Sequence, residues 1–445
     1  MIDFTGKKFG LISLGCDKNR VDSEKALAII SSRGGVITND AEDAQILIIN
    51  TCAFLNEARK EAIETVLEYA AYKSKNLEKL VVTGCLPQKF VGETFPALTE
   101  ADVFLGTNDY DKLFEALEKS YESGRVNFVG TGDGSCVINR VVTTPLHYAY
   151  LKIADGCNNR CTYCLIPKIR GRYQSYPIEK LLEEVEALGD VSELILVAQD
   201  VTRYGVDLYG QKKLVDFLRK VTTCGNINSV RLLYCYPDMI DDELIAEIRD
   251  NPKIIKYIDI PLQHSEDVIL KLMNRPAGRE KYLKLIEKLR NEIPDIAIRS
   301  TFIAGFPTES EESFEGLCSF IRQAKLNNCG FFAYSREPDT AAFKLKGQLP
   351  YCVKKKRVKK LYEIQREISR ETLEKLVGSS VKVVCDGIDY GRGCFVGRAY
   401  FQAPEIDGKV YFNAPSAEQG KYYKVIINGT DGYDLFGRTE DYCNE

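Results

Sequence analysis

The sequence predicts an α/β protein in three parts: an N-terminal doubly wound parallel sheet, a central partial (βα)6 barrel and a small C-terminal β-barrel. Three observations predict it. Strand-like and helix-like patterns alternate over about the first 120 residues. A second alternating series runs from Ala149 to Tyr334. After Leu376 the pattern changes to short strands broken by Gly, Asp and Asn.

In the first part the apolar runs Phe9–Leu14, Ala44–Ile49, Leu80–Thr83 and Val103–Leu105 suit buried parallel strands. Helical patterns lie between them at Asp22–Arg33, Asn56–Tyr72 and Tyr110–Lys119. Gly124–Ser135 reads as a linker. In the second part the expected strands are Ala149–Ala154, Glu193–Ala198, Val230–Cys235, Tyr257–Ile260, Ala297–Ala304 and Gly330–Tyr334. Pro177–Leu188 illustrates the helices between them: Ile178, Leu181, Leu182, Val185 and Leu188 share one face. Six such units fall short of the eight of a full barrel, so the barrel should be open on one side. Lys354–Leu376 reads as a long helix of mixed charge. Val381–Cys385, Gly393–Tyr400, Lys409–Phe412 and Lys421–Asn428 are the strands expected in the last part. At 445 residues the chain exceeds one core. Domains are expected at 1–122, 143–375 and 376–445, with a linker at 123–142.

No apolar run reaches the roughly 18 residues of a membrane span. The start lacks a charged segment followed by an apolar one, so a cytoplasmic protein is expected. There are 15 cysteines and only two histidines, His147 and His264. In a large intracellular chain, clustered cysteines point to metal ligands rather than disulfides. The scarcity of His argues against a His-based triad or a zinc protease.

The most specific motif is Asp155-Gly-Cys-Asn-Asn-Arg-Cys-Thr-Tyr-Cys164, directly after the first barrel strand. Thiolates hold iron–sulfur clusters, typically four to a cluster. Cys157, Cys161 and Cys164 supply three, which leaves one iron open to a ligand. An amine–carboxylate chelate such as the methionine end of S-adenosylmethionine could fill it, and an electron from the cluster could then release an adenosyl radical. The loop also sits at the carboxyl end of a strand, where barrel enzymes keep their active sites. A zinc knot lacking a ligand is the competing reading. Gln199, Asp200, Gln263, His264, Arg299 and Gly305-Phe-Pro307 are candidate partners of the nucleotide at other strand ends. Arg299 is the one whose guanidinium suits the methionine carboxylate.

Three further cysteines share a position rather than a motif. Cys16, Cys52 and Cys85 each follow the end of one of the first three expected strands, about 35 residues apart. In an open parallel sheet the ligand site lies outside the carboxyl ends of the strands. Converging there, they would hold a second cluster, again with one open iron. The competing reading is that Cys is a common small buried residue. The other nine cysteines (136, 224, 235, 318, 329, 352, 385, 394 and 443) show no such grouping.

With these residues in place, the chain resembles the methylthiotransferases, a radical S-adenosylmethionine family, over essentially its full length. Within that family it is most similar to the branch that modifies an aspartate of small-subunit ribosomal protein twelve. The residues that carry this are Ser13-Leu-Gly-Cys-Asp-Lys-Asn-Arg-Val-Asp-Ser-Glu24, Gly84-Cys-Leu-Pro-Gln88, Leu105-Gly-Thr-Asn-Asp-Tyr110, Gln199-Asp-Val-Thr-Arg-Tyr-Gly205 and Ile260-Pro-Leu-Gln-His264. Asp17 and Asn108 stand where that branch usually has Pro and Gly. The resemblance implies two 4Fe-4S clusters, S-adenosylmethionine, a C-terminal barrel of the TRAM type and an electron donor such as flavodoxin or ferredoxin. A tRNA adenosine methylthiotransferase and a non-catalytic iron–sulfur carrier are the alternatives. Leu376 to the C-terminus carries seven Lys/Arg against ten Asp/Glu. A net −3 fits a basic ribosomal protein better than RNA phosphate. The nine Lys/Arg against four Glu of Lys354–Lys375 form either a solvated face or a contact with ribosomal RNA or the reductant.

Overall fold

Ile46-Leu-Ile-Ile-Asn-Thr51 is buried at every position, as a parallel strand covered on both faces requires. Its neighbours repeat the pattern. The computed structural model describes residues 2–132, 139–276 and 278–442. Cys136 and Cys443 lie outside the described residues, as does part of the expected linker. The first sheet comprises β1 (Lys8–Ser13), β2 (Val36–Thr38), β3 (Ile46–Thr51), β4 (Lys79–Gly84), β5 (Val103–Phe104) and β6 (Val126–Asn127). Its order is β2-β1-β3-β4-β5-β6, with all pairs parallel. The winding reverses between β1 and β3, the place where such sheets bind ligands.

The second sheet holds β7 (Tyr148–Lys152) and, after the short antiparallel pair β8 (Ala154–Asp155) and β9 (Gln174–Ser175), five further strands. These are β10 (Val191–Val197), β11 (Ile227–Leu232), β12 (Ile254–Asp259), β13 (Ala297–Ala304) and β14 (Asn328–Ala333). The order β14-β13-β12-β11-β10-β7 is that of an open half-barrel. All six expected strands are present. The last five strands close a barrel, β15-β16-β17-β19-β18: β15 (Ser380–Asp389), β16 (Cys394–Ala399), β17 (Val410–Asn413), β18 (Tyr422–Thr430) and β19 (Leu435–Thr439).

The short strands β2, β6, β8 and β9 are not among the expected strands, β6 falling within the stretch read as a linker, and two further elements were hidden from the sequence pattern. Strand β19 is short, ends in two polar residues and is interrupted by Gly437. That glycine is needed, because a Cβ there would stand 2.3 Å from the Ile426 carbonyl oxygen. The helix Cys85–Ala97 carries Pro87 and Pro96 and has a non-helical backbone at Phe90. Pro87 sits in the first turn, where no backbone N–H is required.

The chain divides into two compact units. One comprises Met1–Thr143, Tyr150–Asn159 and Cys164–Leu188; the other comprises Thr144–Ala149, Arg160–Tyr163 and Gly189–Glu445. In the first unit, buried ions are paired: Arg140 with Glu24 (3.1 Å) and Glu184 (3.3 Å), and Lys25 with Glu184 (3.6 Å). In the second, Glu193 of β10 pairs with Arg231 of β11 and with Arg398 of β16 (2.8 Å), which ties the small barrel to the half-barrel. The long helix runs Tyr351–Glu374. Part of its charge is spent inside: Lys354 Nζ donates to the Tyr334 carbonyl (2.9 Å), and Arg357 pairs with Glu309 and Glu311.

Candidate metal centres

The register places Ser13, Asn50 and Thr83 side by side across β1, β3 and β4. Each chain leaves its strand within two or three residues of that row, at Cys16, Cys52 and Cys85. Cys16 caps the helix Asp17–Ser32, and Cys85 opens the helix Cys85–Ala97. Both residues therefore stand at helix N-termini. The three share one neighbourhood. The Cys16 and Cys85 thiols reach the same atom, Asn19 Oδ1, at 3.6 and 3.9 Å. A Cβ on Gly15 would lie 3.3 Å from the Cys52 Cβ. Gly84 turns Cys85 into place with φ 95°, and a Cβ there would lie 2.3 Å from Asn50 Oδ1.

Burial pushes the Cys85 thiol up to about 11, against the opposing pull of Arg170. Burial also raises Cys52. Arg170 Nη2 donates to Cys85 Sγ (3.7 Å) and to Asn19 Oδ1 (2.8 Å). Its Nη1 pairs with Asp22 (2.6 Å) and Asp155 (3.0 Å). Lys152 pairs with the same two carboxylates. Two cations and two anions thus form a buried, balanced frame beside the trio. Leu14, Ala53, Leu86, Phe90, Leu165 and Ile169 wall it with apolar surface. Among the described residues no three His, Cys, Asp or Glu side chains are grouped as ligands of one metal ion. All three thiols are free, and thiolates are the usual ligands of iron–sulfur clusters.

The second trio lies in the loop after β8. Gly156 has φ 73°, and a Cβ there would stand 2.1 Å from the Arg172 carbonyl oxygen. Cys157 N donates to the Gly171 carbonyl (3.2 Å), which pins the loop. The backbone N–H groups of Asn159 and Ile166 donate to the sulfurs of Cys157 and Cys164, both at 3.4 Å. Such donors stabilise thiolate and suit cluster ligands. Cys161 accepts from Arg275 Nη1 at 3.9 Å.

Gln199 and Asp200 lie two and three residues past the carboxyl end of β10. Asp200 accepts from Thr202 Oγ1 (2.6 Å). Gln263, past the end of β12, bridges to Phe302 with φ 73°. Tyr234 after β11 and Thr308 after β13 also have positive φ, 62° and 68°. Three of the eight described non-glycine residues with positive φ thus follow strand ends at this edge of the sheet. His264 is buried: Nδ1 accepts from Glu266 N (3.0 Å) and Nε2 faces Glu309 (3.3 Å). Glu309 also accepts from Gly305 N (2.9 Å), so His264 braces the Gly305-Phe-Pro307 turn. Arg299 is placed differently from expectation. It is the third residue of the eight in β13, not at the carboxyl end, and its guanidinium is taken by Asp259 (3.2 Å) and Asp407 (3.3 Å). A cavity of about 400 Å³, lined by Asp295, Asn327, Lys382, Tyr400 and Tyr433, opens near the starts of β13 and β14, away from the strand ends that carry Gln199 and Gln263.

Sequence reasoning missed Asn19, Arg170 and Arg275. Only Asn19 had a local signal, three residues after Cys16 on the first helical turn.

Residues 8–106 match the uncharacterized protein family UPF0004, residues 151–321 the radical SAM superfamily and residues 377–439 the TRAM domain. The ribosomal protein uS12 methylthiotransferase RimO of Lachnoclostridium phytofermentans is 45% identical over 439 residues, covering 97% of this chain and 100% of that protein. Its namesake from a Thermoanaerobacter species is 44% identical over 440 residues, covering 97% and 99%. Among solved structures, the radical S-adenosylmethionine methyltransferase TsrM of Kitasatospora setae aligns with a TM-score of 0.57 at 13% identity, over 76% of this chain and 77% of that one. The cobalamin-dependent radical enzyme OxsB aligns with a TM-score of 0.52 at 11% identity, over 80% and 56%. At such identities the likeness is one of fold.

Fold and matches together define a radical S-adenosylmethionine enzyme. The identity with curated relatives along nearly the whole chain is more specific. The chain belongs to the radical S-adenosylmethionine methylthiotransferase family.

Proposed function

We propose that this enzyme adds a methylthio group to the β-carbon of an aspartate in small-subunit ribosomal protein twelve, using two 4Fe-4S clusters and S-adenosylmethionine. The observation that carries the sulfur chemistry is the convergence of Cys16, Cys52 and Cys85 on one neighbourhood. The substrate follows from the relatives named for uS12. When bound, the groups supply a carbon radical able to attack an unactivated C–H bond and an open iron site for the transferred sulfur.

The chain's own part is to hold and to shield. Cys157, Cys161 and Cys164 would hold the barrel cluster, and Cys16, Cys52 and Cys85 the auxiliary one. Gln199, Asp200 and Gln263 are the residues at the strand ends suited to the nucleotide. Arg170 holds Cys85 and Asn19 in register with the Asp155 side of the barrel loop. The domains are read as 1–122, 143–375 and a TRAM-like 376–445, joined by 123–142. The acidic C-terminal barrel suits a basic protein substrate and disfavours tRNA. A small redox protein such as flavodoxin or ferredoxin would supply electrons, and a ribosomal substrate places the enzyme in the cytoplasm. No helix among the described residues is long and apolar enough to cross a membrane.

The test is anaerobic reconstitution with iron, sulfide, reductant and S-adenosylmethionine, offering ribosomal protein twelve and tRNA separately. Methylthiolation of the protein alone is expected. Modification of tRNA alone would overturn the substrate assignment. Absence of deoxyadenosine would overturn the radical reading.

A further inference from the structure

One buried arginine faces each cysteine trio, and the two differ in their charge balance. Arg170 is matched by Asp22 and Asp155. Arg275, in the turn after the helix Asp267–Leu272, is equally buried but has no described carboxylate partner. Its contacts are few. Nη2 donates to the Pro261 carbonyl (2.6 Å), Nη1 to Cys161 Sγ (3.9 Å), and the guanidinium lies 4.5 Å from the centre of the Tyr236 ring. Nε is buried without a hydrogen-bond partner. The ionisable groups acting on it are Tyr163, Tyr282, Tyr236 and Cys161. Burial drives Tyr236 and Tyr282 upward, so both stay neutral.

An unmatched cation in a protein interior is costly. Of the two acceptors it donates to, the Pro261 carbonyl is neutral, and the Cys161 sulfur is the one that would carry negative charge as a cluster ligand. Cluster potentials respond to net charge and to hydrogen bonds on the sulfurs. A fixed positive charge stabilises the reduced, more negative state. The same guanidinium holds the Pro261 carbonyl, two residues before Gln263, so it also ties the Cys161 loop to the strand-end segment expected to meet the nucleotide.

We propose that Arg275 is a positioning residue of the radical-initiating cluster: it donates to the Cys161 sulfur, and its uncompensated charge raises that cluster's reduction potential. The proposal rests on the reading that Cys157, Cys161 and Cys164 hold a cluster.

The experiment uses the full chain carrying C16A, C52A and C85A, which leaves one cluster. Midpoint potentials are read by anaerobic redox titration with electron paramagnetic resonance, alongside iron content. R275M is expected to retain iron and to weaken one-electron reduction about tenfold, which corresponds to about 59 mV toward lower potential. R275K keeps the charge and should recover at least half of that shift. A full cluster in R275M at the parent's potential overturns the proposal. So does R275K shifting as far as R275M. If R275M loses iron, R275Q and R275K decide: iron retained only in R275K, at the parent's potential, upholds the requirement for charge. Loss of iron in all three makes Arg275 merely structural and overturns it. A parent chain that takes up no iron refutes the cluster reading instead.

Discussion

Replacing Arg170 with Met probes the frame that holds the auxiliary trio. Its guanidinium sits between Asp22 and Asp155, with side-chain exposures of 2%, 5% and 9%. Lys152, 3% exposed, is the other cation. The four charges cancel. R170M leaves two carboxylates against one ammonium, so one buried anion loses its compensation. Breaking one partner of a buried ion pair costs about 3–5 kcal/mol. Hydrogen exchange of the metal-free chain reads this as protection lost in peptides covering Asn19–Ser23 and Lys152–Gly156. Exchange there should accelerate by about a hundred- to several-thousand-fold. D22N added to R170M restores a neutral Lys152–Asp155 pair and should recover at least half of the loss. The two changes are then strongly non-additive. A loss below about 1 kcal/mol, or additive effects, would refute the claim that charge balance holds this frame.

Further outcomes follow from the same geometry. G84A forces a side chain into a φ, ψ region essentially reserved for glycine, at about 1–3 kcal/mol, and pushes against Asn50. Iron content after reconstitution should fall from about eight toward about four per chain, and an unchanged count would contradict the placement of Cys85. Burial raises the Glu193 carboxyl, but Arg231 and Arg398 outweigh it and hold the group at about 2, below its ordinary 4.5. A depressed carboxyl adds stability that is present above about 4.5 and is lost as pH falls toward 2. Acid unfolding of the metal-free second unit should therefore be steeper in that window for the parent than for E193Q. Equal slopes would remove Glu193 from the account.

The strands that carry the cysteines were legible because each is an apolar run followed at once by a small polar segment. That pattern alone places Cys16, Cys52 and Cys85 at neighbouring strand ends. The register of Ser13, Asn50 and Thr83 then accounts for their convergence. Arg170 was not legible, since its partners lie 85 residues away at Cys85 and 151 away at Asn19. Arg275 lies 114 residues from Cys161, and nothing local marks it. Arg299 teaches the opposite lesson. Its residue type suits a carboxylate, yet its own strand, read correctly as Ala297–Ala304, ends five residues later. The helix opening at Cys85 carries Pro87 in its first turn, where proline is tolerated.

The central claim is that the two trios divide the labour, one generating the radical and the other delivering sulfur. The most direct measurement compares the reconstituted parent with its C16A/C52A/C85A variant on ribosomal protein twelve, quantifying deoxyadenosine and the methylthiolated aspartate by mass spectrometry. The parent should yield both, and the variant should still form deoxyadenosine but no methylthio product. Methylthiolation by the variant at the parent's rate would contradict the claim.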